Sequence, residues 1–257
     1  DQPNVVPSKS SIWFYLRDVT YEGIMDMYKI ADDMADGAAL MTNTSVTKKI
    51  LGTAWPRHFN KIIAETMYEN IKKVGLPTWS ENDQILATSV QKEVESYNQN
   101  GLSEKLVNLG IPAKFPISGG SDDIGDVSWK VPTVTLRFPS NIPGLQGHHW
   151  SNAIAMATPI AHKGANAGAK VVAMSVIDFL TKPDIIEDAW DYFNNIQSKE
   201  TKYKPMITES DPPPTYLNKG IMDNFRPKLE KYYYDETKFD SYLEQLNIIY
   251  PTIRDEK

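Results

Sequence analysis

The sequence predicts an α/β fold. Three short runs rich in β-branched and aromatic residues, 11–16 (SIWFYL), 46–55 and 131–138, read as strands. They alternate with longer segments whose apolar residues recur every three or four positions, the period of an amphipathic helix. Glycine, proline or a Ser/Thr cap marks most of the junctions.

Residues 11–16 form the first expected strand, with Arg17 at its end. Over 20–37 the period changes: Ile24, Met27, Ala31 and Met34 share one helical face, Thr20 offers an N-cap, and Gly37 lies near the expected end. Residues 46–55 return to strand character and Pro56 closes them. Two amphipathic helices follow. The first covers 58–74, with Ile62, Ile63, Met67 and Ile71 as its stripe and Gly75 as its stop. The second opens at Ser80, where Ser80-x-x-Asp83 resembles a capping box, and carries Leu86, Val90 and Val94 at four-residue spacing. A loop with Pro112 and Pro116 leads to the third apolar run. Residues 165–180 are apolar on most sides and read as a buried helix, broken at Lys182-Pro183. A more polar helix is expected over 184–200 and an extended, proline-bearing segment over 201–219. A charged, aromatic tail comes last, with Tyr232-Tyr233-Tyr234 assigned to packing.

With 257 residues the chain can form one large domain or two small ones. Apolar content of 41% and charged content of 23% are those of a soluble globular protein. A net charge of −6 without a basic cluster argues against nucleic acid as a partner. No apolar run nears the roughly 20 residues of a membrane span, and no signal-peptide pattern is present, so the expectation is a soluble chain, with the cytoplasm favoured. The absence of cysteine removes disulfides, thiolate ligands and cysteine nucleophiles.

The chemistry-bearing residues concentrate between Gly119 and Gly164. Asp122, Asp123 and Asp126 sit in a glycine-bracketed loop, and three of the four histidines, His148, His149 and His162, follow. Asp-rich turns commonly bond their own backbone, and neither His-x-His nor His-x-x-x-His occurs, so a metal site is one reading of this stretch and a structural turn the other. Ser121, His148 and Asp123 could be imagined as a serine triad, but no G-x-S-x-G elbow is present. His58, beside Phe59 at a helix start, reads as a surface or capping histidine. Arg17 can be a solvated strand-end side chain or a fork for a carboxylate. His162-Lys163 is open between a structural and a functional role.

The order of several motifs resembles one family. Pro3-Asn4-Val5-Val6-Pro7, followed by the run ending in Arg17, is similar to the "N-[VI]-[VI]-P … R" strand of the dinuclear-zinc amidohydrolase and carboxypeptidase superfamily. That superfamily includes the aminoacylases and glutamate carboxypeptidase. Gly120-Ser121-Asp122-Asp123 resembles its "G-S-x-D" turn. GDVSW at 125–129, the H-x-W of His148 to Trp150 and IAHKG at 160–164 resemble the p-aminobenzoyl-glutamate hydrolase branch.

The resemblance implies part of a zinc-exopeptidase-like α/β/α catalytic domain plus half of an α+β sandwich lid. It implies the C-terminal half of the lid over 1–55, the C-terminal part of the catalytic domain over 56–183, and an extension over 184–257. It implies His148 as a zinc ligand, with His149 as the fallback. Asn4, Arg17, Gly120, Ser121 and Asp123 become substrate-binding residues. The implied activity is zinc-dependent hydrolysis of an amide bond in an N-acyl amino acid such as p-aminobenzoyl-glutamate, with two zinc ions in the full-length enzyme. The family's other metal ligands and its general base have no match in this chain, which begins Asp1-Gln2-Pro3. The expectation is therefore a C-terminal half with no catalytic residue of its own, inactive alone, completed by an N-terminal half and forming a homodimer through the lid. The alternative is a non-catalytic binding or assembly module that retains the fold.

Overall fold

A computed structural model describes residues 4–110 and 120–253. Pro3 and Gly119 of the motifs above, together with Pro112 and Pro116, lie outside the described residues. The described residues divide into two compact units: 4–57, 120–127 and 204–213 form one, and 58–110, 128–203 and 214–253 the other.

The first unit is built on one long helix, α1 (Tyr21–Thr42). Thr20 caps it as expected, its hydroxyl accepting from the Gly23 N–H at 3.1 Å, and Asp18 in turn holds Thr20 through the backbone and the hydroxyl. The helix runs past Gly37, since one interior glycine costs only about 1 kcal/mol. Asn43 stops it, adopting the left-handed conformation (φ 52°) and donating its N–H to the carbonyls of Ala39 and Leu40. Trp55 is the buried centre of this unit. It stacks on Tyr21 with ring centroids 5.2 Å apart, and its indole N–H donates to the Lys204 carbonyl at 2.8 Å.

The expected α/β architecture does not form. Among the described residues there are helices joined by extended and irregular segments, with no strand and no sheet, so neither the half-sandwich lid nor the α/β/α catalytic layers are present. The run 11–16 has no regular secondary structure and is largely exposed: Trp13 and Tyr15 keep about three-quarters of their surface in solvent (72% and 76%). High β-propensity describes a side chain suited to a pleated surface. The ladder itself must come from a neighbouring strand, and neither 11–16 nor 46–55 finds one among the described residues.

The second unit is helical. It contains α2 (Lys61–Val74), α3 (Glu81–Glu93), α5 (Ser151–Ile154), α6 (Pro159–Thr181), α7 (Pro183–Tyr192), α8 (Lys219–Leu229) and α9 (Tyr242–Gln245), while a short α4 (Ile124–Ser128) comes between α3 and α5 in the chain. Asn60 caps α2 through its side-chain oxygen and donates to the Ala189 carbonyl of α7 at 2.9 Å, so one buried amide sets two helices. Ser80 and Asp83 form the reciprocal capping box expected at α3. The core joins Trp79, Leu86, Ala87, Val90 and Leu102 to Ile142, Ala155 and Ile160. α2 packs on α6, and the buried Asn70 amide reaches Ser175 Oγ (3.2 Å) and Asp178 Oδ2 (2.8 Å).

The third expected strand, 131–138, lies in this unit as an extended segment whose following residues run against α6. Gly164 and Gly168, one turn apart, make that approach possible. A Cβ on Gly164 would collide with the Pro139 carbonyl and the Ser140 backbone, and one on Gly168 would press on Phe138 at 3.2 Å. α6 buries Ile160, Ala161, Gly164, Gly168, Val171 and Ser175 on that side. Its opposite side keeps Val176, Ile177 and Leu180 exposed, so the helix is buried on one face rather than all round.

Candidate functional site

The turn at 120–123 is held in place by the buried tryptophan of the first unit. The Trp55 N–H donates to Asp126 Oδ2 at 3.0 Å. Gly125 comes so close to the Trp55 carbonyl that any Cβ there would overlap it, so glycine is required at this position. With the turn anchored from behind, two guanidinium groups reach its front. Arg17 Nη1 donates to Ser121 Oγ at 3.1 Å, and Arg57 Nη2 donates to the Gly120 carbonyl at 3.3 Å. Arg57 Nη1 also lies 3.9 Å from Asp122 Oδ2. Arg17 rests over the Tyr15 ring, 5.1 Å from its centroid, which orients the fork without neutralising it. Asp122 Oδ1 is shielded from solvent and has no hydrogen-bond partner among the described residues. An exposed guanidinium fork beside a hydroxyl is suited to a carboxylate, which it can bind with two parallel charge-assisted hydrogen bonds.

The structure joins Arg17, Ser121 and Gly120 into one cluster, and the side chains of Asn4 and Asp123 in the same unit take no part in its hydrogen bonds among the described residues. Asn4 is exposed in a turn at the start of the described chain. Asp123 is exposed and contributes its backbone carbonyl to Val127 at 3.1 Å. His148 belongs to the second unit, where it is exposed in a left-handed conformation (φ 58°) just before α5. Its neighbour His149 is engaged locally, with Nδ1 2.8 Å from Ser151 Oγ and the ring packed against Trp150. Among the described residues, no group of three or more His, Cys, Asp or Glu side chains is arranged to hold a metal ion. The described side chains therefore do not fit a zinc site by themselves.

Sequence reasoning misses Arg57 altogether. Its only local signal is its place directly after Pro56, at the end of an apolar run. Sequence reasoning reads Asp126 as one of three candidate oxygen donors to a metal and misses its bond to a backbone N–H 71 residues away, which no local pattern shows. His58 is not the surface histidine its position suggests. It is half-buried, packed edge-on to Trp129 at 5.7 Å and beside Tyr192, and burial lowers its pKa. No helix among the described residues is long and apolar enough to cross a membrane.

Comparison with known proteins finds similarity to a bacterial hydrolase subunit and to mammalian dipeptidases. The chain is 23% identical over 234 residues to a subunit of p-aminobenzoyl-glutamate hydrolase from Escherichia coli (strain K12), covering 82% of this chain and 49% of that protein. It is 27% identical over 187 residues to the Xaa-Arg dipeptidase of Mus musculus and 26% identical over 189 residues to that of Homo sapiens. Each match covers 72% of this chain and 36% of the dipeptidase. The chain is a homologue of amidohydrolase-type peptidases. It spans about half the length of the bacterial relative and less of the mammalian ones. No family model matches the chain, and no solved structure matches it. The relatives are hydrolases, and the bacterial one is one subunit of its enzyme.

Proposed function

We propose that this chain is part of a zinc-dependent amidohydrolase that cleaves the amide bond of an N-acyl amino acid of the p-aminobenzoyl-glutamate type. The observation that carries the reading is the similarity to the bacterial p-aminobenzoyl-glutamate hydrolase over 82% of the chain. The hydrogen bond from Arg17 to Ser121 supports it, because it sets a carboxylate-binding fork on the turn that resembles the family's pocket wall. In this reading Arg17 grips the substrate carboxylate and Ser121 orients the fork. Gly120 and Asp123 line the pocket, and Asn4 adds a polar contact. His148 is one ligand to a metal completed by side chains beyond those described. The 257-residue chain alone does not hydrolyse the substrate, and its partners are the rest of the catalytic machinery and a second copy of itself. The domain boundaries of this reading are 1–55, 56–183 and 184–257.

The test is calorimetric titration of the chain with p-aminobenzoyl-glutamate, with hydrolysis followed in parallel in the presence of zinc. The expected result is binding without turnover, weakened about tenfold or more in Arg17→Ala and partly restored in Arg17→Lys, the size of one charge-assisted contact. Equal binding by the wild-type chain and Arg17→Ala would remove the fork from the site. Turnover by the chain alone would show that it carries its own catalytic centre. Absence of any binding favours the assembly form of the second reading, in which the chain is a non-catalytic binding or assembly module.

A further inference from the structure

The IAHKG motif at 160–164 is not used by that function, yet its lysine meets the most buried carboxylate of the second unit. Asp83 is fully buried at the start of α3. Its Oδ2 accepts from Lys163 Nζ at 2.6 Å and from the Ser80 N–H at 2.8 Å, and its Oδ1 accepts from the Tyr250 hydroxyl at 2.8 Å. The three donors come from α6, the α3 cap and the C-terminal segment, so one side chain ties together parts of the chain up to 167 residues apart.

Tyr250 belongs to a segment with its own internal order. Ser241 caps α9, Asn247 turns the chain in a left-handed conformation (φ 55°), and the Ile248 N–H donates to the Leu243 carbonyl at 2.9 Å. Tyr242 and Gln245 bond back to the carbonyls of Tyr232 and Tyr233, within the tail itself. Toward α3 and the start of α6, the side-chain hydrogen bond of 241–253 comes from the Tyr250 phenol alone among the described residues, to Asp83. The same ring packs against the core cluster. Between this segment and the start of α6 lies an open cleft of about 410 Å³, walled by Ala157, Pro159 and His162 on one side and by Leu243, Asn247 and Ile248 on the other.

We propose that residues 241–253 are a strap beside the α6 cleft, latched by the Tyr250 hydroxyl on the buried Asp83 carboxylate, and that releasing this bond loosens the strap and widens the cleft. A four-residue helix has no stability of its own in water, so α9 takes its shape from its bonds to the preceding tail and from the docking of the strap. Lys163 keeps Asp83 charged and thereby keeps the latch strong.

The test compares the full chain with Tyr250→Phe, which removes the hydroxyl and leaves the ring. Amide exchange at Leu246 and Ile248 is expected to quicken about tenfold or more, the scale of a lost hydrogen bond to a charged group. Exchange at Ala64, at the start of α2, should not change. Because the chain has no cysteine, Ala157→Cys gives a background-free probe of the cleft. Its reaction with a thiol reagent should quicken to the same degree when Tyr250→Phe is added. Unchanged exchange and labelling overturn the proposal. Equal loss of protection in the strap and in α2 also overturns it, since Tyr250 would then be holding the whole fold rather than a strap.

Discussion

Asp83 and Asp126 each accept a backbone N–H from a distant or capping residue, Ser80 in one unit and Trp55 in the other. Their surroundings separate them. Asp83 is sealed inside the second unit with an ammonium and a phenol aimed at its two oxygens. Asp126 is half-buried on a turn whose front carries the exposed Arg17 and Ser121. A carboxylate that must hold a fold together is itself enclosed, with half-buried partners reaching in to it. One that supports a binding surface is placed behind it, leaving the charged groups in front able to change partners. The two units repeat the contrast in their glycines: Gly164 lets an extended segment lie on α6, whereas Gly125 lets Trp55 back up a turn.

The largest expected effect is Asp83→Ala. It leaves Lys163 and Tyr250 without their acceptor and removes the α3 capping box, and it should cost about 3 kcal/mol in urea denaturation. A loss below about 1 kcal/mol, no more than an ordinary hydrogen bond, would break the claim that this carboxylate holds the unit. The pH dependence carries the same information. Burial pushes the Asp83 carboxyl up, but the hydrogen bonds from Lys163, Ser80 and Tyr250 outweigh it and hold the group below its ordinary value. Its stabilisation is therefore complete above the unfolded carboxylate pKa of about 3.9 and is lost as pH falls through the lower folded value. The acid limb of stability should be steeper in the wild-type chain than in Asp83→Ala.

Gly164→Ala should come next. The new methyl group meets backbone at Pro139 and Ser140, which cannot swing aside as a side chain would. Overpacking of about 3 kcal/mol should outweigh the roughly 1 kcal/mol that alanine gains in a helix, a net loss of about 2 kcal/mol. A more stable Gly164→Ala variant would show that the 136–140 segment is not held against α6. The smallest effect is expected for Asp126→Ala, about 1 kcal/mol, read locally as faster exchange of the Trp55 amide. If Asp126→Ala proves as costly as Asp83→Ala, the contrast between enclosing and backing carboxylates fails.

Several features are legible in the sequence alone. The Thr20 cap, the Ser80–Asp83 box, the stop at Gly75 and the break at Lys182-Pro183 follow from residues within a turn of each other, and they stand where the sequence puts them. The end of α1 differs from the expectation because a lone Gly37 is too weak a breaker, while Asn43 supplies the left-handed cap. The Arg17 turn is half legible: Arg17, Gly120 and Ser121 belong to a motif and Asp126 to the Asp-rich loop, but Arg57 carries no pattern of its own and nothing local joins Asp126 to Trp55.

The sequence by itself determined where helices start and stop and that a glycine-bracketed Asp turn and a strand-like run ending in Arg17 exist. Those choices depend on dihedral preference and on hydrogen bonds spanning three or four residues. Tertiary structure decided the rest. Whether 11–16, 46–55 and 131–138 become strands depends on a partner that no local pattern supplies, and among the described residues they remain unladdered. Whether Asp83 is only a cap or the centre of a latch depends on Lys163 and Tyr250, 80 and 167 residues away. Such contacts form only when the chain closes on itself, because burial selects the ion pair by what surrounds it and not by what adjoins it in sequence.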